Sequence, residues 1–250
     1  FIDKQSLNDL SLIISDKKLI DSKVFLVPNS KDFLVHIATE FRKSLKSKVI
    51  GITGTNGKTS TKELLVKFLK TKFGVSYSTG NYNSTISLPL SLIGCDTKSS
   101  YCVLEMGASK KQEISFLCDI AKPDLGVITN ISESHLEGYE NFEELINTKL
   151  ALYESLVNNS GVYFLNKDDL NITIKNDYQK IITYSNYDHL SDYFADTSKI
   201  KEGVVYINDY LFNVPYKSDI FASNFLASYS IASSLGVSNK KIQDALLDFQ

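Results

Sequence analysis

Hydrophobic positions after residue 48 alternate between two patterns. Short runs rich in Val and Ile predict buried strands, and the segments between them place apolar residues three or four positions apart, which predicts amphipathic helices. The predicted strands are 49–54, 101–107, 125–131 and 161–166. The predicted helices are 58–72, 110–121 and 142–156. Strands that alternate with helices in this way predict an α/β fold with a mostly parallel sheet flanked by helices.

The two ends of the chain follow other patterns. Near the start, residues 24–27 form a short strand-like run, and residues 32–46 have helical spacing. Near the end, residues 204–215 predict two short strands that turn at Asp209. The tail predicts two helices separated by Gly236.

Composition narrows the possible partners. The apolar fraction is 43% and the net charge is -2, so nothing in the charge favours nucleic acid or an anionic membrane. No apolar run reaches the roughly 18 residues that a membrane span needs, so we expect no membrane insertion. The three cysteines, Cys95, Cys102 and Cys118, form no CxxC pair and no disulfide framework. We expect them to be buried, unpaired thiols in a reducing cytoplasm.

The first strand ends in a glycine-rich loop, GTNG, and the helix that follows begins with Lys58 and Thr59. Backbone N–H groups at a helix N-terminus bind anions, and glycines such as Gly54 and Gly57 let the backbone approach a phosphate closely. A lysine at this position reaches the β- and γ-phosphates, and the hydroxyl is a Mg²⁺ ligand. The stretch therefore predicts a P-loop that binds a nucleoside triphosphate.

One position departs from the general pattern GxxxxGK[ST]. The chain has Ile52 where the pattern has its first glycine, and the glycine stands at Gly54 instead. The alternative to a phosphate loop is a glycine-rich turn that binds nothing. The combination of strand, glycines, lysine and hydroxyl favours the phosphate loop.

Three more candidates lie near the carboxyl ends of predicted strands, where open α/β sheets bind ligands, or in the helix beyond. Glu105 would suit a hard cation, although a loop or capping carboxylate is an alternative. His135 is a candidate ligand, with a structural, hydrogen-bonded histidine as the alternative. Lys149 lies in an amphipathic helix, where a lysine most often extends to solvent. Asn81 and Asn83 are candidates for phosphate or substrate binding, and by themselves they indicate only a turn.

Together these motifs resemble the Mur ligases, the ATP-dependent enzymes that build the peptide stem of peptidoglycan. The matching stretches run in family order from Gly54 to Ser238: GTNGKTSTKE, GNYNSTISLPL, VLEMG, ITNISESHLEGY, NTKLALYESL and SNFLASYSIASSLGVS. The resemblance is greatest to the member that joins D-alanyl-D-alanine to UDP-N-acetylmuramoyl-tripeptide through an acyl-phosphate. It implies ATP and Mg²⁺ as cofactors, a bacterial cytoplasmic location and a monomer.

The resemblance also implies roles for individual residues. Those expected to bind the nucleotide are Gly54, Thr55, Asn56, Gly57, Lys58, Thr59, Ser60, Asn83 and Asn224. Those expected to bind Mg²⁺ are Thr59, Glu105, His135 and Lys149 as a carbamate. Lys58, His135 and Lys149 are the expected catalytic residues. Asn224 matches the asparagine that recognises adenine, but Ser223 replaces the usual neighbouring histidine, so a ring contact from that histidine is lost.

The resemblance predicts the domain organisation as well. Residues 1–47 would be the end of the N-terminal UDP-substrate domain, and residues 48–250 the central, P-loop NTPase-like ATP-binding domain. The C-terminal domain would be absent, and the isolated chain would be weakly active or inactive. Two alternatives remain: another Mur or folylpolyglutamate-type ligase, or a nucleotide-binding scaffold without turnover.

Overall fold

The structure is a computed structural model that describes residues 12–18, 23–133, 136–174 and 177–249. The strands of these residues are β1 Ile13–Ser15, β2 Val24–Leu26, β3 Lys48–Thr53, β4 Val75–Tyr77, β5 Tyr101–Glu105, β6 Leu125–Ile128, β7 Val162–Asn166, β8 Ile181–Ser185, β9 Tyr193–Asp196, β10 Val204–Ile207 and β11 Tyr210–Asn213. The α-helices are α1 Ser30–Ser44, α2 Lys58–Lys70, α3 Ser87–Ile93, α4 Glu113–Ala121, α5 Phe142–Asn158, α6 Asp219–Ser234 and α7 Asn239–Leu247. Two 3₁₀ helices span Leu136–Gly138 and Ile200–Glu202.

One large sheet organises the chain. Among the described residues it has nine strands in the order β11-β10-β9-β8-β7-β6-β3-β5-β4, and the seven from β4 to β9 run parallel. β10 pairs antiparallel with both β9 and β11. The predicted α/β fold with a mostly parallel sheet is confirmed. Since β3 lies between β5 and β6, the loops that follow these three strands leave the sheet side by side.

Both faces of the sheet are covered, as the apolar strands predict. On one face, Ile52 of β3 shares a core with α2 and α6, where the rings of Phe68 and Phe225 meet edge to face with centroids 5.9 Å apart. On the other face, α3, α4 and α5 form a second core around Leu104 and Leu152. β3, from which the glycine-rich loop emerges, is therefore packed against helices on both faces of the sheet.

The N-terminal segment packs onto this second core. β1 and β2 form a separate two-stranded parallel sheet, while Ala38 of α1 is buried in the core shared with α3 and α4. Arg42 donates hydrogen bonds to the backbone oxygen of Ala121 (2.6 Å) and to the carboxylate of Asp124 (2.9 Å). The division of the chain after residue 47 stays a prediction.

Most predicted elements form within a few residues of their expected bounds. The predicted hairpin is confirmed: it turns at Asn208 and Asp209, which adopt the left-handed φ values of 44° and 68°. The break between the last two helices at Gly236 is confirmed too, with φ 81°. The hydrophobic pattern missed α3, because a short helix that contains Pro89 lacks the usual periodicity. Within the described residues, no helix is long and apolar enough to cross a bilayer.

The cysteines depart from expectation. All three are buried, as predicted, and Cys118 is a free thiol. The prediction of unpaired thiols is wrong for Cys95 and Cys102, which form a disulfide. The physical reason is the packing of α3 against β5, which brings Cys95, just after the helix, next to Cys102 on the strand. The spacing of Cys95 and Cys102 along the sequence does not predict that contact.

The position of Ile52 leads to a first prediction. Its side chain is fully buried in the core, while Gly54 supplies the loop conformation, so isoleucine here is a packing residue. We expect Ile52→Gly, which would restore the general loop pattern, to lower the free energy of unfolding by about 3–5 kcal/mol through the cavity and the added backbone freedom.

The measurement is urea unfolding followed by circular dichroism. Ile52→Val, which removes a single methylene, is the matched control and should cost about 1 kcal/mol. Equal stability of the glycine and valine variants would contradict the packing role.

Candidate functional site

The loop between β3 and α2 adopts a conformation that requires its two glycines. Gly54 has φ +146°, and a Cβ there would lie 2.0 Å from Thr129 Oγ1. Gly57 has φ +79°, and a Cβ there would lie 2.2 Å from Asn224 Oδ1. The left-handed backbone and the close neighbours both exclude larger residues. The glycines therefore fix the path of the chain into the N-terminus of α2.

Residues that follow β6 hold this loop in place. The backbone N–H of Thr55 donates to Asn130 O (2.8 Å), and that of Asn56 donates to Asn130 Oδ1 (3.0 Å). Thr129 Oγ1 and Asn130 Nδ2 both donate to Asn56 O, at 2.6 and 2.9 Å. The sequence reasoning did not single out Thr129 or Asn130. The sequence feature that could have identified them is a hydroxyl and an amide directly after a predicted strand, at the sheet edge where ligands bind.

Lys58 folds back over the loop that precedes it. Its Nζ donates to Gly54 O (3.0 Å) and to Thr55 O (2.8 Å). Burial lowers the pKa of Lys58, and the nearby Glu105 carboxylate opposes that shift. The first N–H groups of α2 have no partner within the helix, so they and the ammonium form a ready anion site.

Glu105 lies across from the loop at the end of β5 and is almost fully buried, with 1% exposure. Thr59 Oγ1 donates to its Oε2 (2.8 Å), and Asn83 Nδ2 donates to its Oε1 (2.8 Å). The predicted alternative of a loop or capping carboxylate does not fit this burial. A hydroxyl and a carboxylate side by side are hard oxygen donors of the kind that Mg²⁺ uses together with phosphates and water. These residues fit a Mg²⁺ ion.

Lys149 reaches the same loop from α5. Its side chain is 5% exposed, and its Nζ donates to Gly54 O (3.1 Å). The alternative of a lysine that extends to solvent is therefore wrong. Burial, together with the smaller effect of the positive charge of Lys58, lowers the pKa of Lys149 to about 8. At mildly basic pH a substantial fraction of this amine is thus neutral.

A cleft of about 540 Å³ opens beside these residues. Of the predicted residues, it is lined by Gly54, Thr55, Lys58, Asn83 and Lys149. The sequence reasoning did not single out its other lining residues: Ser84, Gly107, Ala108, Ser109, Glu113, Glu137, Gly138, Tyr139 and Leu145. Six of them come from the loops after β5 and β6, the neighbours of β3, while Ser84 follows β4, Glu113 begins α4 and Leu145 lies in α5. Only the sheet order shows that these loops meet.

The remaining predicted residues do not line the cleft in the described part of the chain. Asn224, in α6, lies beneath Gly57 and accepts a hydrogen bond from Thr61 Oγ1 (3.4 Å), so its role in adenine recognition stays a prediction. Ser60 is exposed in the first turn of α2, and Asn81 is exposed on the loop after β4. His135 lies outside the described residues. Within the described ranges, no three His, Cys, Asp or Glu side chains cluster as a metal site.

Comparisons with known proteins converge on one family. The family model described as "Mur ligase middle domain" matches residues 52–232. The chain is 34% identical over 181 residues to the UDP-N-acetylmuramoyl-tripeptide--D-alanyl-D-alanine ligase of Bacillus subtilis, a match covering 72% of this chain and 39% of that protein. For the enzyme of the same name from Rickettsia prowazekii, the identity is 38% over 146 residues, covering 58% and 32%. The chain thus spans less than half the length of these two relatives.

Solved structures agree on the fold. The crystal structure of MurF from Acinetobacter baumannii has a TM-score of 0.82 at 22% identity, covering 98% of this chain and 56% of that chain. The MurF ligase of Thermotoga maritima, solved in complex with ADP, has a TM-score of 0.80 at 28% identity, covering 98% and 59%.

The burial of Lys149 leads to a prediction about stability. The folded pKa is about 8 and the ordinary value is 10.5, so the unfolded chain binds more protons between these pH values. Stability must therefore rise with pH across this window. Lys149→Met removes the buried amine, so below pH 8 we expect this variant to be more stable than the wild type, by on the order of 2–3 kcal/mol, and the advantage to vanish by about pH 10.5.

Urea unfolding at a series of pH values measures the difference. Lys110→Met, which replaces an exposed lysine, is the control and should follow the wild-type curve. A constant difference between Lys149→Met and the wild type from pH 7 to 10.5 would contradict the shifted pKa.

Proposed function

The chain belongs to the Mur ligase family, and from this premise we propose that it forms the nucleotide-binding part of an ATP-dependent ligase that joins D-alanyl-D-alanine to UDP-N-acetylmuramoyl-tripeptide. The observation that carries the proposal is the meeting of Lys58, Thr59, Glu105 and Lys149 around one loop beside a cleft. The names of the relatives support the choice of substrates.

The loop and the start of α2 would bind the triphosphate of ATP. Gly54 and Gly57 allow close approach, the helix N-terminus offers N–H donors, and Lys58 neutralises the β- and γ-phosphates. Lys58 would exchange its bonds to Gly54 O and Thr55 O for bonds to phosphate oxygens. Asn224 would contribute to adenine recognition beneath the loop.

Thr59 and Glu105 would hold one Mg²⁺ through their oxygen atoms. When bound, the ion supplies positive charge that offsets the charge of the phosphates. From the family resemblance, we propose His135 and a carbamate on Lys149 as the protein ligands of a second Mg²⁺.

The reaction then needs positioning and charge more than side-chain nucleophiles. The terminal carboxylate of the tripeptide attacks the γ-phosphorus of ATP, the bond to the β,γ-bridging oxygen breaks, and ADP and an acyl-phosphate result. The amine of D-alanyl-D-alanine attacks the acyl carbon, phosphate leaves, and the amine loses its proton. Lys58 would stabilise charge on the transferred phosphoryl group, and Asn83, which lines the cleft, would orient it.

Lys149 is chemically suited to carbamylation. A neutral amine attacks the carbon of CO₂, a nitrogen–carbon bond forms, and one proton is released, which gives a negatively charged carbamate. Burial and the charge of Lys58 both favour the neutral amine. The product would replace a cation by an oxygen ligand next to the phosphate loop.

The alternatives differ in the acceptor or in turnover. Another Mur or folylpolyglutamate-type ligase would share the loop and use a different amine, and a scaffold would bind ATP without hydrolysis. The names of the curated relatives favour the D-alanyl-D-alanine ligase, and the intact set of Lys58, Thr59, Glu105 and Lys149 favours turnover. We also propose a cytoplasmic location, which the use of ATP and UDP-linked substrates would support, and a monomer.

Removal of the loop lysine tests nucleotide binding. We expect Lys58→Ala to weaken ATP binding by this chain about 100-fold or more, because a charge-assisted contact to phosphate is lost in a partly buried site. Isothermal titration with ATP and Mg²⁺ measures the affinity, and Lys110→Ala is the control. Unchanged ATP affinity in Lys58→Ala would rule out the loop as the triphosphate site.

Mass spectrometry of the products tests the reaction itself. The full-length protein that contains this chain should convert UDP-N-acetylmuramoyl-tripeptide, ATP and D-alanyl-D-alanine into the UDP-pentapeptide, ADP and phosphate. Product formed with a different amine would support the ligase alternative. ATP binding without any product would support the scaffold.

The carbamate has its own test. With ¹³C-labelled bicarbonate, we expect a carbamate resonance in the ¹³C NMR spectrum of the wild type that is absent from Lys149→Ala. Ligation by the full-length Lys149→Ala variant should fall by at least about 100-fold, since a cation ligand is lost. Wild-type ligation in Lys149→Ala, or the same labelled resonance in both proteins, would disprove the carbamate.

A further inference from the structure

Lys62 is fully buried, which is rare for a lysine unless it is paired. It lies in α2 one turn after Lys58, on the helix that begins at the phosphate loop. Its Nζ donates to Ser78 O (2.8 Å) and to Gly80 O (2.6 Å), both in the loop that follows β4. The ammonium thus ties this loop to the helix.

The same ammonium lies among acidic groups. Its Nζ is 4.0 Å from Glu105 Oε2 and 3.0 Å from Glu63 Oε1. Glu105 is the carboxylate that also contacts Thr59 and Asn83. Lys62 therefore compensates part of the charge that Glu105 buries, and it is not among the residues that line the cleft.

The loop that Lys62 holds leads directly to Asn83. Beyond Gly80, the next contacts of this loop with the site are at Asn83, whose Nδ2 donates to Glu105 Oε1 (2.8 Å) and whose backbone oxygen accepts from Gly107 N (2.8 Å). Asn83 lines the cleft together with Lys58. Anchors at both ends fix where its amide points.

We propose that Lys62 is a positioning residue that couples the phosphate-loop helix to the loop from Ser78 to Asn83 and so sets the recognition of the terminal phosphate of a nucleoside triphosphate. The inference rests on the proposed nucleotide site. Lys62 acts through Asn83, which ends the loop that Lys62 holds, and does not touch the nucleotide. The phosphates nearer the ribose would be bound by the loop after β3, to which Lys62 donates no hydrogen bond, so we expect their recognition to be independent of Lys62.

Lys62→Met tests the inference, since methionine keeps most of the length and apolar volume and removes the ammonium. Two probes are titrated in the presence of Mg²⁺: ADP and the β,γ-imido analogue of ATP. We expect the affinity for the triphosphate analogue to fall about tenfold or more, because contacts to the terminal phosphate are lost. The affinity for ADP, which lacks that phosphate, should change less than about threefold. Lys67→Met, a change of the same kind on the same helix, should leave both affinities at the wild-type values.

Hydrogen exchange and a double variant separate positioning from general stability. The amides from Gly80 to Asn83 should lose protection in Lys62→Met, while those in the core of α2 keep it. Because Lys62 acts through Asn83, Lys62→Met combined with Asn83→Ala should discriminate the two nucleotides no worse than Asn83→Ala alone. Lys62→Gln, which retains a donor at a shorter reach, should show an intermediate loss.

The outcomes distinguish this inference from the function on which it rests. A wild type that binds neither nucleotide would overturn the nucleotide site itself. A wild type that prefers the triphosphate analogue, with the same preference in Lys62→Met, would overturn the role of Lys62 alone. Equal weakening of both nucleotides, or failure of both Lys62 variants to fold, would assign Lys62 to stability and so would also overturn it.

Discussion

The backbone oxygen of Gly54 is the acceptor around which the site is arranged. It receives hydrogen bonds from the ammonium groups of Lys58 and Lys149, at 3.0 and 3.1 Å. This oxygen is available because Gly54 adopts a φ that a side chain would block, since Thr129 fills the space where a Cβ would lie. A backbone conformation reserved for glycine thus brings two cations from different helices to one point.

The order of the strands explains why these groups meet. β3 lies between β5 and β6, so the phosphate loop leaves the sheet between Glu105 on one side and Asn130 on the other. Asn130 holds the loop, and Glu105 faces the first turn of α2. The burial of the sheet on both faces makes this edge rigid, which suits a site that works by preorganised charge.

The sequence predicted the parts of the site that depend on local order along the chain. The loop, the helix start and the strand end at Glu105 follow from spacing and periodicity, and the structure confirms their placement. Contacts between distant segments were beyond that reasoning: the hold of Asn130 on the loop, and the disulfide between Cys95 and Cys102. Lys62 belongs to the same group, because its bonds to Ser78 and Gly80 depend on how α2 packs beside β4.

The two lysines at Gly54 link phosphate binding to the chemistry of Lys149. A fixed positive charge on Lys58 attracts phosphate, and the same charge makes a second ammonium beside it unfavourable. Burial is the larger cause and the charge of Lys58 adds to it, so the pKa of Lys149 falls to about 8. The pKa of Lys58 is also lowered by burial, but the Glu105 carboxylate opposes that shift. The positive charge that we propose for triphosphate binding therefore also favours the neutral amine that the proposed carbamylation requires. Lys58 alone at the Gly54 oxygen would suffice to attract phosphate. Lys149 adds an amine at the same oxygen, and its protonation depends on its burial and on the charge of Lys58.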